Sequence, residues 1–278
     1  MMRRNFAQVL KESKIDLKNE YLKFYNFFYT KSNKTNNSIA NIVAEKFVYF
    51  HFRGTCLTLK EFNETNEFKF EKYPQDFNED YLINFMEYIY NFVVCLDNGF
   101  FGFDMRKDIF IQQILRVIDK MGYMSIVEAG VTIFVPQDNC AIAVATSELI
   151  PENLSYKVLE YNHHSLKGNI EAKRDALVKL ASILEPYDKK LNEINKTFKS
   201  DLFQLLNSCN IRHNNKDKSS QHYKEYIAEM SATELEHTYD ETYQMCLLAF
   251  MQLEHADRKP WLKELKGNID GLQDKKSN

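Results

Sequence analysis

Glycine and proline are rare in this chain, and their scarcity narrows the available folds more than any other feature. Only 8 of the 278 residues are glycine and 5 are proline. Sandwiches and barrels need many tight turns, in which these two residues are common, whereas helix interiors exclude both. Because 44% of the residues are apolar, the chain can bury a core of ordinary size. We therefore expect a mostly α protein.

Residues 1–150 are predicted to form a multi-helix region of unknown function. The segment 51–78 lacks helical periodicity, and its alternating FKFEKY motif favours a loop with one or two short strands. Apolar positions at helical spacing, together with capping residues, predict the helices of this region. The predicted helices are 5–29, 39–50 capped by Ser38, 79–96, 105–121 capped by Asp104, and a short one through 140–144 capped by Asp138 and Asn139.

A β-hairpin is predicted near 124–135, with Ala129-Gly130 as its turn. A helix followed by a hairpin is the outline of a winged helix, which can bind DNA. The simpler interpretation is that the hairpin covers one end of a helical core. We favour it because no Lys or Arg occurs between Met121 and Glu148.

Residues 151–260 have the most regular helical pattern and predict an antiparallel helical bundle. One helix is expected from Leu154 to Leu184 with a bend at Gly168, and a second from Pro186 to Cys209.

The last helix is expected to begin at the capping box Ser231-Ala-Thr-Glu234 and to end at Pro260. Residues 261–278 are predicted to be a disordered tail. The domain boundary is placed near residue 150.

The five cysteines are dispersed and surrounded by apolar residues, which is typical of reduced thiols. No secretory signal and no run long enough to span a membrane occurs, so a cytoplasmic location with no membrane partner is expected. Phosphate-binding loops, dinucleotide motifs and the common hydrolase signatures are absent from the sequence, and we expect no cofactor and no metal.

The segment Leu205–Tyr223 concentrates the chemistry of this chain. An apolar helical pattern stops there and is followed at once by Arg212 and His213. From Pro186 to Lys224 there are eight Lys/Arg and four Asp/Glu, whereas the stretch from Glu225 to Asp257 has no Lys/Arg and eight Asp/Glu. The local positive balance favours a polyanion such as RNA near this loop.

Arg212, His213 and His222 are the candidate catalytic residues. An arginine can hold a phosphate through a charge-assisted fork, and histidines near neutrality can move protons to and from ribose oxygens. The alternative is that Arg212 and His213 only cap the carbonyls of the preceding helix. Neighbouring amides could contact substrate, and these candidates are Asn207, Asn210, Asn214 and Asn215.

An arginine, a following polar residue and a later histidine between two long helices resemble the ribonuclease motif of HEPN-domain proteins. Here Arg212, His213 and His222 match those positions, and the resemblance covers about residues 152–257. Nine residues separate Arg212 from His222, a longer spacing than the family has. Either the turn is an insertion, His213 alone serves, or the likeness is accidental.

The resemblance implies a compact helical bundle that dimerises, so that two copies of the motif form one cleft. It also implies a defence-type, abortive-infection-like ribonuclease or RNA-binding effector without a metal. The alternative is a non-enzymatic interaction or regulatory protein with a protein partner.

A second cluster, Glu160-Tyr161-Asn162-His163-His164, adds two candidates for substrate binding, His163 and His164. On a continuous helix, Glu160 and His164 would be neighbours four residues apart, which could bind a metal or polarise a base. The more ordinary interpretation is a pairing on the surface or in the core.

Overall fold

The structure is a computed structural model that describes residues 15–32, 36–96 and 107–274. Within these ranges the protein is mostly helical, with one small two-stranded sheet, and this confirms the predicted fold class. The chain divides into two compact units, Met1–Gln137 and Asp138–Asn278. The division lies before the predicted residue 150.

The first unit is organised around its longest described helix, Glu79–Cys95 (α4). This helix packs against the helices Leu17–Tyr29 and Lys107–Lys120 and against the hairpin. Asn78 caps α4 by accepting a hydrogen bond from Tyr81 N at 2.8 Å. Its core is unusually aromatic, and Phe85 and Phe92 of α4 are fully buried. The described helices of this unit are α1 (Leu17–Tyr29), α2 (Ile39–Lys46), α3 (Leu59–Thr65), α4 (Glu79–Cys95) and α5 (Lys107–Lys120).

The predicted hairpin is confirmed, with strands β1 (Tyr123–Glu128) and β2 (Val131–Pro136). Ala129 and Gly130 form its turn with φ of 50° and 79°, as a two-residue turn of this kind requires. Asn91 on α4 bonds both the amide and the carbonyl of Thr132, at 2.8 and 2.7 Å. The hairpin therefore covers α4, which is the simpler of the two predicted roles.

The prediction for residues 51–78 was wrong, because this segment contains helix α3 instead of strands. Thr58 Oγ1 accepts from Glu61 N at 3.1 Å, and Glu61 in turn accepts from Leu57 N at 2.8 Å. This reciprocal cap starts a helix in a stretch of weak periodicity. Phe68 and Phe70 do share a side, but they pack on Tyr88 without a neighbouring strand.

Some predictions on the N-terminal half concern undescribed residues. Helix 5–29 is seen from Leu17 onward, and residues 1–14 lie outside the described part of the chain, as does the predicted cap Asp104. Ser38 caps α2 as predicted, accepting from Asn41 N at 3.2 Å.

The second unit is built on one long helix, Ala232–Asp274 (α12). Four shorter helices of the unit pack against it, namely Asn139–Ala145, Ile170–Leu184, Asp188–Ile194 and Lys196–Ser208. Its buried face includes Tyr239, Tyr243, Cys246, Phe250 and Leu253, all fully buried. The described helices of this unit are α6 (Asn139–Ala145), α7 (Glu152–Glu160), α8 (Ile170–Leu184), α9 (Asp188–Ile194), α10 (Lys196–Ser208), α11 (Glu225–Glu229) and α12 (Ala232–Asp274).

Side-chain pairs establish the direction of these helices. Lys173 of α8 bonds Asp240 at 2.7 Å, and Lys190 of α9 bonds Asp257 at 2.5 Å, so the α8–α9 segment runs in the same direction as α12. Helix α10 returns in the opposite direction. Lys199 near its start pairs with Asp188 of α9, and Asn210 just after its end accepts a hydrogen bond from Tyr239 near the start of α12. The junction between α10 and α12 is thus the predicted antiparallel connection.

Two helices that the sequence predicted as continuous are broken. Gly168 has φ of 74°, and Asn169 then caps α8 through Ala172 N at 3.1 Å, so the helix predicted from Leu154 to Leu184 becomes α7 and α8. Asn195 takes an extended conformation and caps α10 through Phe198 N at 3.1 Å. In both places an asparagine side chain satisfies free amides and starts a new helix.

Pro260 does not end the last helix, which continues to Asp274. The side chain of Pro260 is exposed, so the carbonyl that loses its N–H partner can bond water. Residues 261–274 are therefore helical and not the predicted disordered tail, while 275–278 lie outside the described chain. Within the described ranges, none of the helices combines the length and the apolar character that a membrane-spanning segment requires.

The capping box of α12 predicts a measurable contribution to stability. Ser231 Oγ accepts from Glu234 N at 3.2 Å, and Glu234 accepts from Ser231 N at 2.9 Å. Ser231→Ala should lower the free energy of unfolding by about 1 kcal/mol in urea titrations, because the backbone amide of Glu234 loses its side-chain partner. Thr233→Ala, also exposed in the first turn, is the control, and equal losses in the two variants would contradict the assignment.

Candidate functional site

The loop between α10 and α11, residues 209–224, is closed by a reciprocal pair of asparagines. Asn210 N donates to Asn215 Oδ1 at 2.8 Å, and Asn215 N donates to Asn210 Oδ1 at 3.1 Å. Asn215 is buried, and its Nδ2 donates to the carbonyl of His222 at 2.7 Å. This asparagine therefore ties the end of the loop to its beginning, which shortens the distance between His213 and His222.

Asn210 also anchors the loop to the bundle. Its carbonyl accepts from Arg174 Nε of α8 at 2.5 Å and from the Tyr239 hydroxyl of α12 at 3.3 Å. Its φ of 58° lies in the left-handed region, which asparagine tolerates better than most residues. The chain can thus reverse direction directly after α10.

The two histidines that the sequence places nine residues apart are in contact. The rings of His213 and His222 stack with centroids 4.1 Å apart and an angle of 17° between their planes. Both residues are partly exposed to solvent. We call Arg212, His213 and His222 the Arg-His corner.

The corner disfavours a positive charge on His213. Burial of the ring, followed by the charges of His222 and Arg212, lowers the pKa of His213 from its ordinary value. The contribution of His222 couples the pKa of His213 to the charge of the neighbouring ring. A histidine whose pKa is lowered is neutral over a wider pH range, which is the state that can accept a proton.

Arg212 has two separate roles in the structure. Its backbone N–H donates to Leu206 O at 3.0 Å and so caps α10, a bond that does not involve the cationic side chain of the capping interpretation. Its guanidinium instead contacts side chains, with Nη1 donating to Asn207 Oδ1 at 3.3 Å and Nη2 paired with Glu185 Oε1. Capping thus involves the backbone alone, and the guanidinium is directed towards Glu185.

The remainder of the loop is polar and carries positive charge. Asn214 Oδ1 accepts from Asp217 N at 3.2 Å and shapes the turn rather than extending towards the histidines. Lys216, Lys218 and Lys224 are exposed, and among the described residues none of them forms an ion pair. They give this loop three exposed cations.

His163 and His164 belong to a different loop, between α7 and α8. His163 is buried, and its Nδ1 is 2.7 Å from Ser165 Oγ, so it organises its own turn. Helix α7 ends at Glu160, and the predicted four-residue helical spacing between Glu160 and His164 therefore does not form. Glu160 bonds Lys157 instead, at 2.5 Å.

Sequence analysis missed two residues at the corner, Glu185 and Arg174. Both lie in regular apolar helical patterns, far along the chain from Arg212. For Glu185 the sequence did contain a signal. It directly precedes Pro186, where a helix is expected to end, and side chains at a helix end are available for contacts with other elements.

A polar network that the sequence did not predict joins α8 to α12. Lys173 is buried, and its Nζ lies 2.8 Å from Glu236 and 2.7 Å from Asp240. The Tyr161 hydroxyl donates to Asp240 at 3.1 Å, and its ring stacks on Tyr243 at 4.0 Å. Every one of these groups has a partner within the network, and we assign it a structural role.

Comparison with known proteins identifies no relative, since no family model, curated protein or solved structure matches this chain.

The stacked pair predicts a specific titration behaviour. Followed by NMR, the His213 imidazole should titrate below the ordinary value of about 6.5, and His222→Asn should raise its pKa because a neighbouring positive charge is removed. Since folded His213 binds its proton less tightly than unfolded His213, this group should reduce stability as pH falls below about 6.5. His237→Asn, on an exposed part of α12, should leave the His213 titration unchanged, whereas an unchanged titration in His222→Asn would refute the coupling.

Proposed function

We propose that this protein is a metal-independent endoribonuclease whose active site is the Arg-His corner. The observation that carries the proposal is the stacked pair His213–His222 beside Arg212. These are the residue types that cleavage of an RNA phosphodiester needs, namely a base, an acid and a fixed cation. Further support comes from the exposed lysines around the loop, which would attract RNA.

In the proposed reaction, neutral His213 removes the proton from a ribose 2′-hydroxyl. The 2′-oxygen attacks the adjacent phosphorus, and the bond from phosphorus to the 5′-oxygen breaks. Protonated His222 donates its proton to that leaving oxygen, while Arg212 stabilises the charge on the phosphoryl oxygens. The products are a 2′,3′-cyclic phosphate and a 5′-hydroxyl end, and no metal ion is required.

The likeness of the corner to the HEPN motif supports a biological setting for this activity. By that likeness, the protein is a cytoplasmic, defence-type effector of an abortive-infection-like system that acts as a homodimer. RNA is its substrate, and the neighbouring Asn207 and Lys216 are close enough to the corner in sequence to contribute to RNA binding.

Cleavage of RNA by the 278-residue chain in excess EDTA tests the proposal. Arg212→Ala and His213→Ala should each reduce the rate by about 100-fold or more, because each removes a group that acts in the transition state. His237→Ala is the matched control and should retain full activity. Equal activity in all variants, or none in the wild type, would disprove a ribonuclease at this corner.

A second candidate function is supported by the pairing of Arg212 with Glu185. In that case the corner is a structural clasp between the end of α10 and the end of α8, and the protein acts by binding a protein partner. Exposed ion pairs contribute little to stability, so such a clasp would be weak.

Removing Glu185 separates the two functions. If Arg212 binds phosphate, Glu185→Ala should tighten binding of a fluorescent single-stranded RNA severalfold at low salt, because the guanidinium loses its competing carboxylate. Glu171→Ala is the control, because it removes the same charge from a different ion pair, the one between Glu171 and Arg174. Unchanged RNA affinity in Glu185→Ala, together with lower thermal stability, would instead support the clasp.

A further inference from the structure

The long helix α12 has two opposite apolar faces. One face is buried in the second unit, and its last buried residues are Phe250 and Leu253. On the other side, Leu248, Met251, Leu265 and Ile269 are each at least 40% exposed. Exposed apolar residues scattered singly are ordinary, but a row of them along one helix is not.

The exposed residues follow a heptad repeat. With Leu248 at position a, the a positions continue through His255, Leu262 and Ile269, and the d positions are Met251, Arg258 and Leu265. Five of these seven residues are apolar, as in the seam of a coiled coil. The stretch from Leu248 to Ile269 is about 33 Å long and runs beyond the last buried residue of α12.

The residues that would disrupt such a seam lie on the far side of the helix. Pro260 and Gly267 both occupy position f, directly opposite the a and d positions. Arg258 is bonded to Glu254 at 2.8 Å in its own helix, so its charge is compensated while its aliphatic stem can cover neighbouring leucines. The seam is therefore continuous in spite of Pro260.

We propose that this face of α12 binds the same face of a second copy in an antiparallel coiled coil centred on Pro260. This pairing does not depend on the ribonuclease activity and is not the dimer that the HEPN likeness implies. Tyr239, which supports the loop of the corner, is about 31 Å from Pro260 along α12, so the two corners would be far apart. In this register, Met251 lies against Ile269 of the second copy, His255 against Leu265, and Arg258 against Leu262. Each cationic or polar seam residue thus faces an aliphatic side chain.

Charge favours the antiparallel orientation over the parallel one. A parallel pair would place Arg258 against Arg258 and His255 against His255 in the seam. It would also bring together two copies of the stretch from Glu225 to Asp257, which has eight acidic and no basic residues. The antiparallel pair separates these stretches and places Glu254 and Asp257 at the level of Lys266 and Lys263 of the second copy.

Trp261 provides a direct readout, because it is the only tryptophan of the chain and is 60% exposed. It occupies position g beside the proposed two-fold axis, where the two copies of its ring meet. Between about 1 and about 100 µM protein, its emission should shift to the blue as sedimentation velocity shows conversion from monomer to dimer. A monomer with unchanged emission over that range would overturn the proposal.

Variants at the seam should alter this equilibrium without altering the fold. Ile269→Glu should weaken self-association by at least about tenfold, because it introduces a charge into the apolar layer that Ile269 forms with Met251 of the second copy. Gly267→Glu adds the same charge at position f, where a new Cβ meets nothing within 4 Å, and should leave association unchanged. Circular dichroism verifies that both variants fold, and equal association in the two would refute the seam.

Disulfide cross-linking tests the orientation. The exposed Cys95 and Cys140 are first replaced by serine. The antiparallel register predicts cross-linking between Met251→Cys and Ile269→Cys chains when they are mixed. It predicts none for Ile269→Cys alone, whose two copies would be about 27 Å apart along the axis. Efficient self-cross-linking of Ile269→Cys would show a parallel pair and overturn this register.

Discussion

The side chain of Asn215 is the interaction on which the candidate site depends. This buried amide exchanges hydrogen bonds with Asn210 and donates another to the carbonyl of His222. A buried amide that loses its partners costs more free energy than one ordinary hydrogen bond contributes, so the closed loop is strongly preferred over an open one. Without this closure, His213 and His222 would be separated by a polar loop, and no stacked pair would exist.

The surroundings of the Arg-His corner say more about its chemistry than the identities of its three residues do. Burial and two neighbouring cationic groups oppose protonation of His213, which suits a base. The guanidinium of Arg212 is held by Asn207 and Glu185. Glu185 is itself largely exposed, and a phosphate could compete with it for the same donors. In the proposed ribonuclease, the guanidinium would therefore pair with Glu185 when RNA is absent and with a phosphate when RNA is bound.

Helix α12 connects the two proposals without making either depend on the other. Near its beginning, Tyr239 supports the loop of the corner through the carbonyl of Asn210. Near its end, the same helix leaves the bundle and exposes a second apolar face. Long helices of globular proteins ordinarily bury a single stripe, so a second stripe on the opposite side indicates a partner outside the bundle.

Local signals in the sequence were sufficient for much of the fold. Caps with a direct side-chain mechanism, such as Ser38 and the Ser231–Glu234 box, appear where they were predicted, as does the turn at Ala129-Gly130. Apolar periodicity likewise located α4 and the core face of α12. These features depend on residues within one or two turns of one another, which is the range over which sequence patterns are informative.

Tertiary structure decided where helices break or continue at positions whose local sequence is compatible with either outcome. Asn169 and Asn195 start new helices inside patterns that continue past them, and Pro260 is tolerated because its helix is exposed there. The sequence by itself determined that an arginine and two histidines lie in a basic segment between long helices. Only packing brought the histidines into contact and Glu185 to Arg212, because hydrogen bonds between distant residues depend on how the chain folds back rather than on spacing along it.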